Sequence, residues 1–282
     1  MGRGWARHQT AQGLISPAII FGLGFTGQRV ARWLLDRGNS VSAIVRAPER
    51  FSALESIGLK LLPFGAKTLQ GGLLCHAIPP LPEQQNSVIR REIEKIAPKR
   101  IVYISSTGIY GRQNEVDSTT AAAPDDERGR RRIEEEDWVR SGPWSSLILR
   151  AAAIYGPERG VHAAIRSGRI PRGRGSGVVS RIHVDDLAAI AEAGLFSEIE
   201  GAWPVADELP CPSSEIAHWT ARLLQITEPV WNTEKLDGPG RRVDGRGIRE
   251  ALGIELIYPT WQPGVLASLA EEKFRKIRRE PG

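Results

Sequence analysis

The sequence has few of the residues that mark secreted, membrane-spanning or metal-binding proteins. Its only cysteines among 282 residues are Cys75 and Cys211, and their separation fits neither a zinc site nor a disulfide framework. No apolar run approaches the roughly 20 residues that a transmembrane helix requires. The basic N-terminal segment lacks the continuous apolar core of a secretory signal, so we expect residues 1–16 to form a short disordered arm. These absences predict a cytoplasmic protein without a metal site or a membrane partner.

The charge balance also argues against a nucleic-acid partner. The chain has 38 Lys and Arg against 33 Asp and Glu, a net charge of +5. Its arginines are scattered and alternate with acids, as in the block RRRIEEE at residues 130–136, which is typical of a solvated helix with i,i+4 ion pairs. An anionic cofactor and an anionic substrate are enough to explain the surplus positive charge.

The most informative stretch is the segment 17–46. An apolar run, Ala18–Phe21, is typical of a strand that is buried on both faces. Gly22, Gly24 and Gly27 follow with the spacing G-x-G-x-x-G, and a helical pattern and a second apolar strand complete the unit within about thirty residues. In this context the first glycine permits a tight turn, the second lets the backbone approach a pyrophosphate, and the third lets the helix pack on the strand. The segment therefore predicts a dinucleotide-binding turn.

The residue that follows the second strand favours one dinucleotide over the other. An acid at this position accepts from the ribose 2′-hydroxyl of NAD, whereas this chain has Arg46, and a guanidinium pairs with a 2′-phosphate. Arg50 is close enough in sequence to assist. NADP is therefore the expected cofactor, with NAD as the alternative. Further cofactor contacts are predicted at Phe25, Thr26, Ala77, Pro79 and Ser105.

Three hydroxyl residues, Ser105, Ser106 and Thr107, follow the strand predicted over residues 100–104. Hydroxyls at the carboxyl end of a parallel strand point into the crevice where an open α/β sheet binds its ligands. Ser and Thr also commonly close a strand and begin a turn. The residues alone leave both interpretations open.

The rest of the chain divides into a nucleotide-binding part and an irregular part. We expect a dinucleotide-binding domain over residues 17–157, to which residues 178–206 return, and a smaller substrate lobe formed by residues 158–177 and 207–282. The Gly/Arg-rich stretch at 158–177 either lines an anion site or forms basic loops. Its arginines are Arg166, Arg169, Arg172 and Arg174. Towards the C-terminus, the pattern predicts an irregular region and a final basic helix over Trp261–Arg279.

Four motifs, taken together, resemble the extended and atypical short-chain dehydrogenase/reductases, the group commonly labelled NAD-dependent epimerase/dehydratase. In the order in which that family has them, they are GLGFTGQRVA at 22–31, YISSTGIYG at 103–111, LRAAAIYGP at 149–157 and RIHVDDLA at 181–188. The resemblance implies a doubly wound parallel sheet (a Rossmann fold) with a small C-terminal α+β substrate lobe, and a homodimer. It also implies an NAD(P)-dependent oxidoreductase or epimerase-like enzyme that acts on a small polar or sugar-derived molecule.

The resemblance assigns candidate catalytic residues and shows where this chain departs from the family. The family uses a Ser or Thr after the fifth strand, a Tyr as general acid/base and a Lys one helical turn later. Alignment on the motif at 103–111 puts the hydroxyl at Ser106, with Thr107 beside it. The Tyr-x-x-x-Lys positions fall on Arg128 and Arg132. A guanidinium stays protonated near pH 7, so Arg128 cannot act as a general base, whereas Arg132 can still bind the ribose or a phosphate of the cofactor.

Two tyrosines and one arginine remain as candidates near the site. We place Tyr155 at the cofactor and Tyr110 at the substrate, both as packing or wall residues rather than as replacement bases. Nucleotide-sugar epimerases have an Arg for the diphosphate shortly before the I-H-V segment; this chain has Val179 there, and Arg181 is a candidate to take over. His183 is interpreted as a helix cap in preference to a catalytic base. The missing Tyr also supports an alternative, a non-catalytic NADP(H)-binding redox sensor or partner-binding module.

Overall fold

The computed structural model describes residues 17–66, 70–168, 175–228 and 240–277. Its strands, in chain order, are β1 (Ala18–Phe21), β2 (Val41–Val45), β3 (Lys60–Pro63), β4 (Leu73–His76), β5 (Arg100–Ser106), β6 (Glu115–Val116), β7 (Ser145–Ala151), β8 (Ala153–Tyr155), β9 (Val178–Val179), β10 (Arg181–His183), β11 (Gly201–Val205), β12 (Cys211–Pro212) and β13 (Gly240–Val243). Its α-helices are α1 (Phe25–Asp36), α2 (Glu83–Ile96), α3 (Glu127–Ser141), α4 (Val161–Arg166), α5 (Val184–Leu195), α6 (Ser213–Leu224), α7 (Arg246–Leu252) and α8 (Trp261–Ile277). Short 3₁₀ helices span Pro48–Ile57 and Thr107–Tyr110.

The centre of the molecule is a seven-stranded sheet in which every neighbouring pair runs parallel. The strand order is β11-β7-β5-β4-β1-β2-β3, so the chain builds outward from β1 to one edge, returns to β4 beside β1, and builds outward to the other edge. This reversal makes the sheet doubly wound, and the carboxyl ends of β1 and β4 flank the switch point where such sheets bind ligands. The fold class expected from the sequence is confirmed.

Alternating residues of the central strands build a core on each face of the sheet. In β1, Ile20 packs on the face that α1 and α5 cover, whereas Ile19 and Phe21 pack on the face of α2 and α3. None of these three side chains is more than 2% exposed. Burial on both faces explains why the strand is a continuous apolar run rather than an alternating one.

A second, smaller sheet joins segments that are distant in the sequence. Its order is β12-β9-β13-β6, with one antiparallel and two parallel pairs. The expectation of an irregular C-terminal region is wrong where β13 and α7 form, and β6 is a further short strand that precedes α3. These strands are too short for a local hydrophobic period, and their partners lie far along the chain, so sequence patterns do not reveal them.

Two side chains cap the helices α3 and α5, and the sequence analysis predicts the second of them. The carboxylate of Asp126 accepts the Gly129 N–H at 2.6 Å and begins α3. Nδ1 of His183 accepts the Asp185 N–H at 3.2 Å and begins α5. The interpretation of His183 as a cap is therefore confirmed.

The prediction of a solvated helix at residues 130–136 is only partly right. Glu127 and Arg131 form an exposed ion pair with the expected i,i+4 spacing. Glu135 and Glu136, however, are fully buried. Residues of α2 donate hydrogen bonds to Glu135, and residues of the central sheet donate to Glu136. Such donors are the condition under which a protein tolerates a buried charge.

Several predictions concern residues outside the described ranges. These are the arm at 1–16, three members of the arginine group (Arg169, Arg172 and Arg174) and the last residues of the final helix. The division of the chain into a dinucleotide-binding domain and a substrate lobe stays a prediction. Within the described residues, no helix combines the length and the hydrophobicity that crossing a bilayer requires.

Candidate functional site

The glycine turn between β1 and α1 leaves a space that fits an anion. Gly22 has a φ of +99°, a left-handed conformation that favours glycine. A Cβ on Gly27 would lie 1.9 Å from the carbonyl oxygen of Gly22, so α1 packs directly on the end of β1. A Cβ on Gly24 would meet no atom within 4 Å, and no side chain caps α1 there. The first turn of α1 is therefore uncapped beside open space, the arrangement that binds a phosphate.

A cavity of about 470 Å³ lies at the carboxyl ends of β1, β2 and β4. Its walls are mainly apolar, and its volume falls within the range of about 300–1,000 Å³ that small-molecule sites have. The cavity brings together several of the predicted cofactor residues: Gly22, Gly24, Arg46, Ala77 and Pro79. The remaining residues of the glycine motif, Phe25, Thr26 and Gly27, stand next to it in the first turn of α1.

Two arginines on the rim of the cavity are not neutralised by the described part of the protein. Arg46 directly follows β2, and Arg50 lies in the 3₁₀ helix that comes next. Both are exposed and line the cavity, and neither forms an ion pair with an acid of the described residues. An anionic ligand in the cavity would therefore meet two available guanidinium groups.

A buried network behind the end of β5 uses the first of the three hydroxyl residues. The hydroxyl of Ser105 donates to Glu136 at 2.5 Å, and Arg150 pairs with the same carboxylate at 2.8 Å. Arg150 also donates to the hydroxyl of Tyr110 at 3.2 Å. Ser105 and Tyr110 are thereby held inside the protein, 3% and 0% exposed. The structure joins these two predicted site residues in a scaffold and brings neither to the cavity.

Ser106 and Thr107 follow at the end of β5, on the edge of the sheet that holds the glycine turn. The Ser106 hydroxyl accepts the Gly108 N–H at 3.2 Å and caps the short 3₁₀ helix. Thr107 is buried, and its carbonyl accepts from Arg241 at 2.6 Å. Ser106 therefore has the turn-forming role that is common for a serine at the end of a strand. Ser106 is half-buried and donates to none of the described residues, so its proton is available to a ligand.

None of the four tyrosines of the chain, all of them in the described ranges, is prepared to act as a base. Burial raises the pKa of Tyr103, Tyr110 and Tyr155 above the ordinary value of a phenol, and it raises the pKa of Tyr258 to about 12. The positive charge of Arg132 on α3 opposes the rise in the pKa of Tyr103 but does not reverse it. Arg132 thus lies near the hydroxyl of Tyr103 in β5. Because the pKa of every tyrosine is raised, all four are neutral phenols near pH 7.

Tyr155 and Arg181 lie away from the cavity. Tyr155 is 4% exposed and packs in an apolar cluster with Trp261. Arg181 donates to the carbonyl of Cys211 and to the hydroxyl of Ser213, both at 2.8 Å. The predictions that Tyr155 contacts the cofactor and Arg181 the substrate gain no support from this arrangement, because both side chains take part in interactions within the protein.

Comparison with known proteins identifies relatives over part of the chain. No family model matches the sequence. The protein YeeZ of Escherichia coli K12 is 32% identical over 164 residues, which cover 57% of this chain and 59% of YeeZ. A 3-diazoavenalumate denitrifying reductase from a Streptomyces species is 30% identical over 149 residues, which cover 46% of this chain and 49% of the reductase. The chain thus spans about half to three fifths of the length of these curated relatives.

Solved structures match over nearly the whole chain. A protein from Methylobacillus flagellatus assigned as an NAD-dependent epimerase/dehydratase is 25% identical, with a TM-score of 0.72, over 92% of this chain and 100% of that chain. The chain is epimerase/dehydratase-like. This agrees with the resemblance found in its four motifs. MoeE5, solved with UDP-glucuronic acid and NAD, is 17% identical and shares the fold, with a TM-score of 0.74 over 92% of this chain and 99% of that chain.

Sequence reasoning missed the polar partners that hold α3 of this epimerase/dehydratase-like chain. Glu135 accepts from Asn86 at 2.6 Å and from Arg90 at 3.0 Å, and it lies 3.2 Å from Nε2 of His76. Glu136 is held by the network at the end of β5. The run of three glutamates contains no sign of which carboxylates are buried, because α3 has charged residues on every side and only a few apolar residues to mark its buried face. Their partners come from β4, α2, β5 and β7, which only the folded chain brings together.

Proposed function

We propose that the chain binds an NAD(P) dinucleotide, with the adenosine half in the cavity and the pyrophosphate at the start of α1. The observation that carries this proposal is the uncapped glycine turn at the edge of a cavity of about 470 Å³. Apolar walls suit an adenine ring, and the start of a helix suits a phosphate. The fold shared with MoeE5, which is solved with NAD, supports the same assignment.

Of the two dinucleotides, we propose NADP as the preferred one. Arg46 and Arg50 stand at the end of β2, where the adenosine ribose would lie, without acids to neutralise them among the described residues. One charge-assisted hydrogen bond to a 2′-phosphate is worth about 1.5–3 kcal/mol, which corresponds to an affinity ratio of about 10 to 150. NAD lacks the 2′-phosphate and gains nothing from these two side chains.

We further propose that the chain is an oxidoreductase and that it favours reduction over epimerisation. Bound NAD(P)H would supply a hydride. The available proton of Ser106 suits the oxygen or nitrogen atom at which negative charge develops. Epimerisation at a carbinol begins with a base that removes the hydroxyl proton, and no tyrosine of this chain is a phenolate near pH 7. In the reduction, the hydride of NAD(P)H would pass to the substrate carbon, and the Ser106 hydroxyl would hydrogen-bond to the oxygen or nitrogen atom that gains negative charge. Water would supply the proton that this atom takes up. The reductase among the relatives supports this choice.

The substrate class is proposed as a small polar or sugar-derived molecule. MoeE5 is solved with UDP-glucuronic acid, and two of the four strands of the smaller sheet, β12 and β13, fall within the predicted substrate lobe. We keep the predicted lobe at 158–177 and 207–282, and the homodimer that the resemblance implies, as parts of this proposal.

Calorimetric titration with NADP, NADPH, NAD and NADH tests the cofactor assignment. The NADP pair should bind at least about tenfold more tightly than the NAD pair, and Arg46→Ala should remove most of that difference. Arg32→Ala, which removes an exposed charge from α1, is the matched control and should leave all four affinities unchanged. Equal affinity of the wild type for all four would refute the NADP preference, and binding of none would refute the dinucleotide site.

A non-catalytic NADP(H)-binding redox sensor or partner-binding module is the second candidate. It is favoured by the absence of a tyrosine from α3, where the family has its acid/base, together with the intact glycine turn. Oxidation of NADPH by a substrate, lost in Ser106→Ala while the affinity for NADPH is retained, would exclude the sensor. Bound NADPH that no carbonyl, imine or diazo compound oxidises would instead exclude the reductase.

A further inference from the structure

A tight turn after β8 packs on the first residue of α1. Gly156 and Arg159 bridge each other, since the N–H of each donates to the carbonyl of the other at 3.0 Å. A Cβ on Gly156 would lie 3.1 Å from Cζ of Phe25, which begins α1. The turn formed by residues 156–159 is therefore fixed beside the start of the helix where we place the pyrophosphate.

This turn presents a cation to the glycine motif. Cζ of Arg159 lies 5.0 Å from the centre of the Phe25 ring. Arg159 is exposed, and it forms no ion pair with an acid of the described ranges. Arg29, one turn further along α1, is by contrast held at 2.8 Å by both Asp185 and Glu271. Arg159 is thus a positive charge that remains available to a ligand at the start of α1.

The same turn is held in a conformation that its residues do not favour. Glu158 has a φ of +64°, which is unfavourable for any residue with a Cβ. The Glu158 N–H donates to the buried carboxylate of Glu272 on α8, so a distant helix fixes the turn. Strain that the surrounding structure imposes in this way concentrates at ligand sites.

We propose that Arg159 binds the pyrophosphate of the dinucleotide; this inference rests on the proposed function. A guanidinium can stack its face on an aromatic ring and still direct its N–H groups at phosphate oxygens. The pyrophosphate would lie between the first turn of α1 and Arg159. Two arginines then recognise different phosphates of one ligand: Arg46 the 2′-phosphate and Arg159 the pyrophosphate.

Calorimetry with two fragments separates these roles. Adenosine 2′-monophosphate has the 2′-phosphate without a pyrophosphate, and ADP-ribose has the pyrophosphate without a 2′-phosphate. Arg159→Ala should lower the affinity for ADP-ribose and for NADP about tenfold, and it should change the affinity for adenosine 2′-monophosphate by less than about twofold. Arg46→Ala should leave the affinity for ADP-ribose unchanged. Arg37→Ala is the matched control, because Arg37 stacks on Trp33 at the other end of α1 with Cζ 4.1 Å from the ring centre.

A second variant, Arg159→Gln, separates a charge effect from a loosened turn. It keeps a long polar side chain against Phe25, and its affinity for ADP-ribose should fall less steeply with ionic strength than that of the wild type, because a screened charge has been removed. Wild-type affinity for ADP-ribose in both Arg159 variants would overturn the proposal. A wild type that binds neither NADP nor ADP-ribose would refute the proposed function itself, and Arg159 would then have no ligand of this class.

Discussion

The replacement Glu136→Gln is expected to destabilise the protein strongly, although it changes few atoms. Glu136 is fully buried and accepts from Ser105 and Arg150. The Arg150 side chain is only 9% exposed, so the neutral amide leaves a buried guanidinium without its counter-ion. Removing one partner of a buried pair costs about 3–5 kcal/mol, and we expect about 3 kcal/mol because the amide oxygen still accepts one hydrogen bond.

Urea denaturation, followed by tryptophan fluorescence, measures this loss. Asp137→Asn on the same helix is the matched control, because Asp137 is 61% exposed and pairs with Arg140 on the surface. Its loss should stay below about 1 kcal/mol. Adding Arg150→Met to Glu136→Gln should recover part of the stability, since it removes the uncompensated charge. Equal losses in Glu136→Gln and Asp137→Asn would refute the reasoning.

Two further predictions concern the glycine turn and a buried acid. Gly24→Ala puts a methyl group where we place the pyrophosphate, so calorimetry should show loss of dinucleotide binding at an unchanged melting temperature. Gly27→Ala puts a Cβ 1.9 Å from the Gly22 carbonyl and should lower the melting temperature as well; normal binding by Gly24→Ala would contradict the placement. Burial raises the pKa of Asp207 to about 7, so between about pH 4 and pH 7 the unfolded chain releases this proton while the folded protein keeps it, and stability falls as the pH rises. Asp207→Asn cannot ionise and should gain stability relative to the wild type from about pH 4 to pH 7, and a constant difference in urea unfolding over that range would refute this.

The central sheet is predictable because its signals are local. The unit from β1 through the glycine turn to α1 is contiguous in the sequence. Its apolar run indicates a buried strand, and its glycine spacing indicates the turn that follows. The bounds of α2 follow from an amphipathic pattern between Pro82 and Pro98, and the structure has the helix at Glu83–Ile96. The smaller sheet is different. Arg242 pairs with Glu115, and nothing near either residue in the sequence indicates that partner.

The residues of the candidate site also fall into two groups, those that local patterns predict and those that depend on tertiary contacts. Gly22 and Arg46 follow strands directly, and Gly24 comes two residues after Gly22. The parallel sheet therefore brings them to one edge, and all three line the cavity. The roles of Ser105 and Tyr110 depend instead on Glu136 and Arg150, which other elements contribute. Whether a hydroxyl faces a ligand or a buried carboxylate is decided by these tertiary contacts, and no spacing in the sequence encodes them.

The two buried carboxylates of α3 have a mechanical consequence. Consecutive residues of a helix point about 100° apart, and here Glu135 is tied to α2 and β4 while Glu136 is tied to β5 and β7. Because these two sets of hydrogen bonds hold α3 from different directions, the helix cannot rotate about its own axis. Arg128 is exposed and takes no part in either anchor. The orientation of α3 therefore does not depend on the side chain at position 128. A substitution at that position should change which group α3 presents without changing how the helix is held.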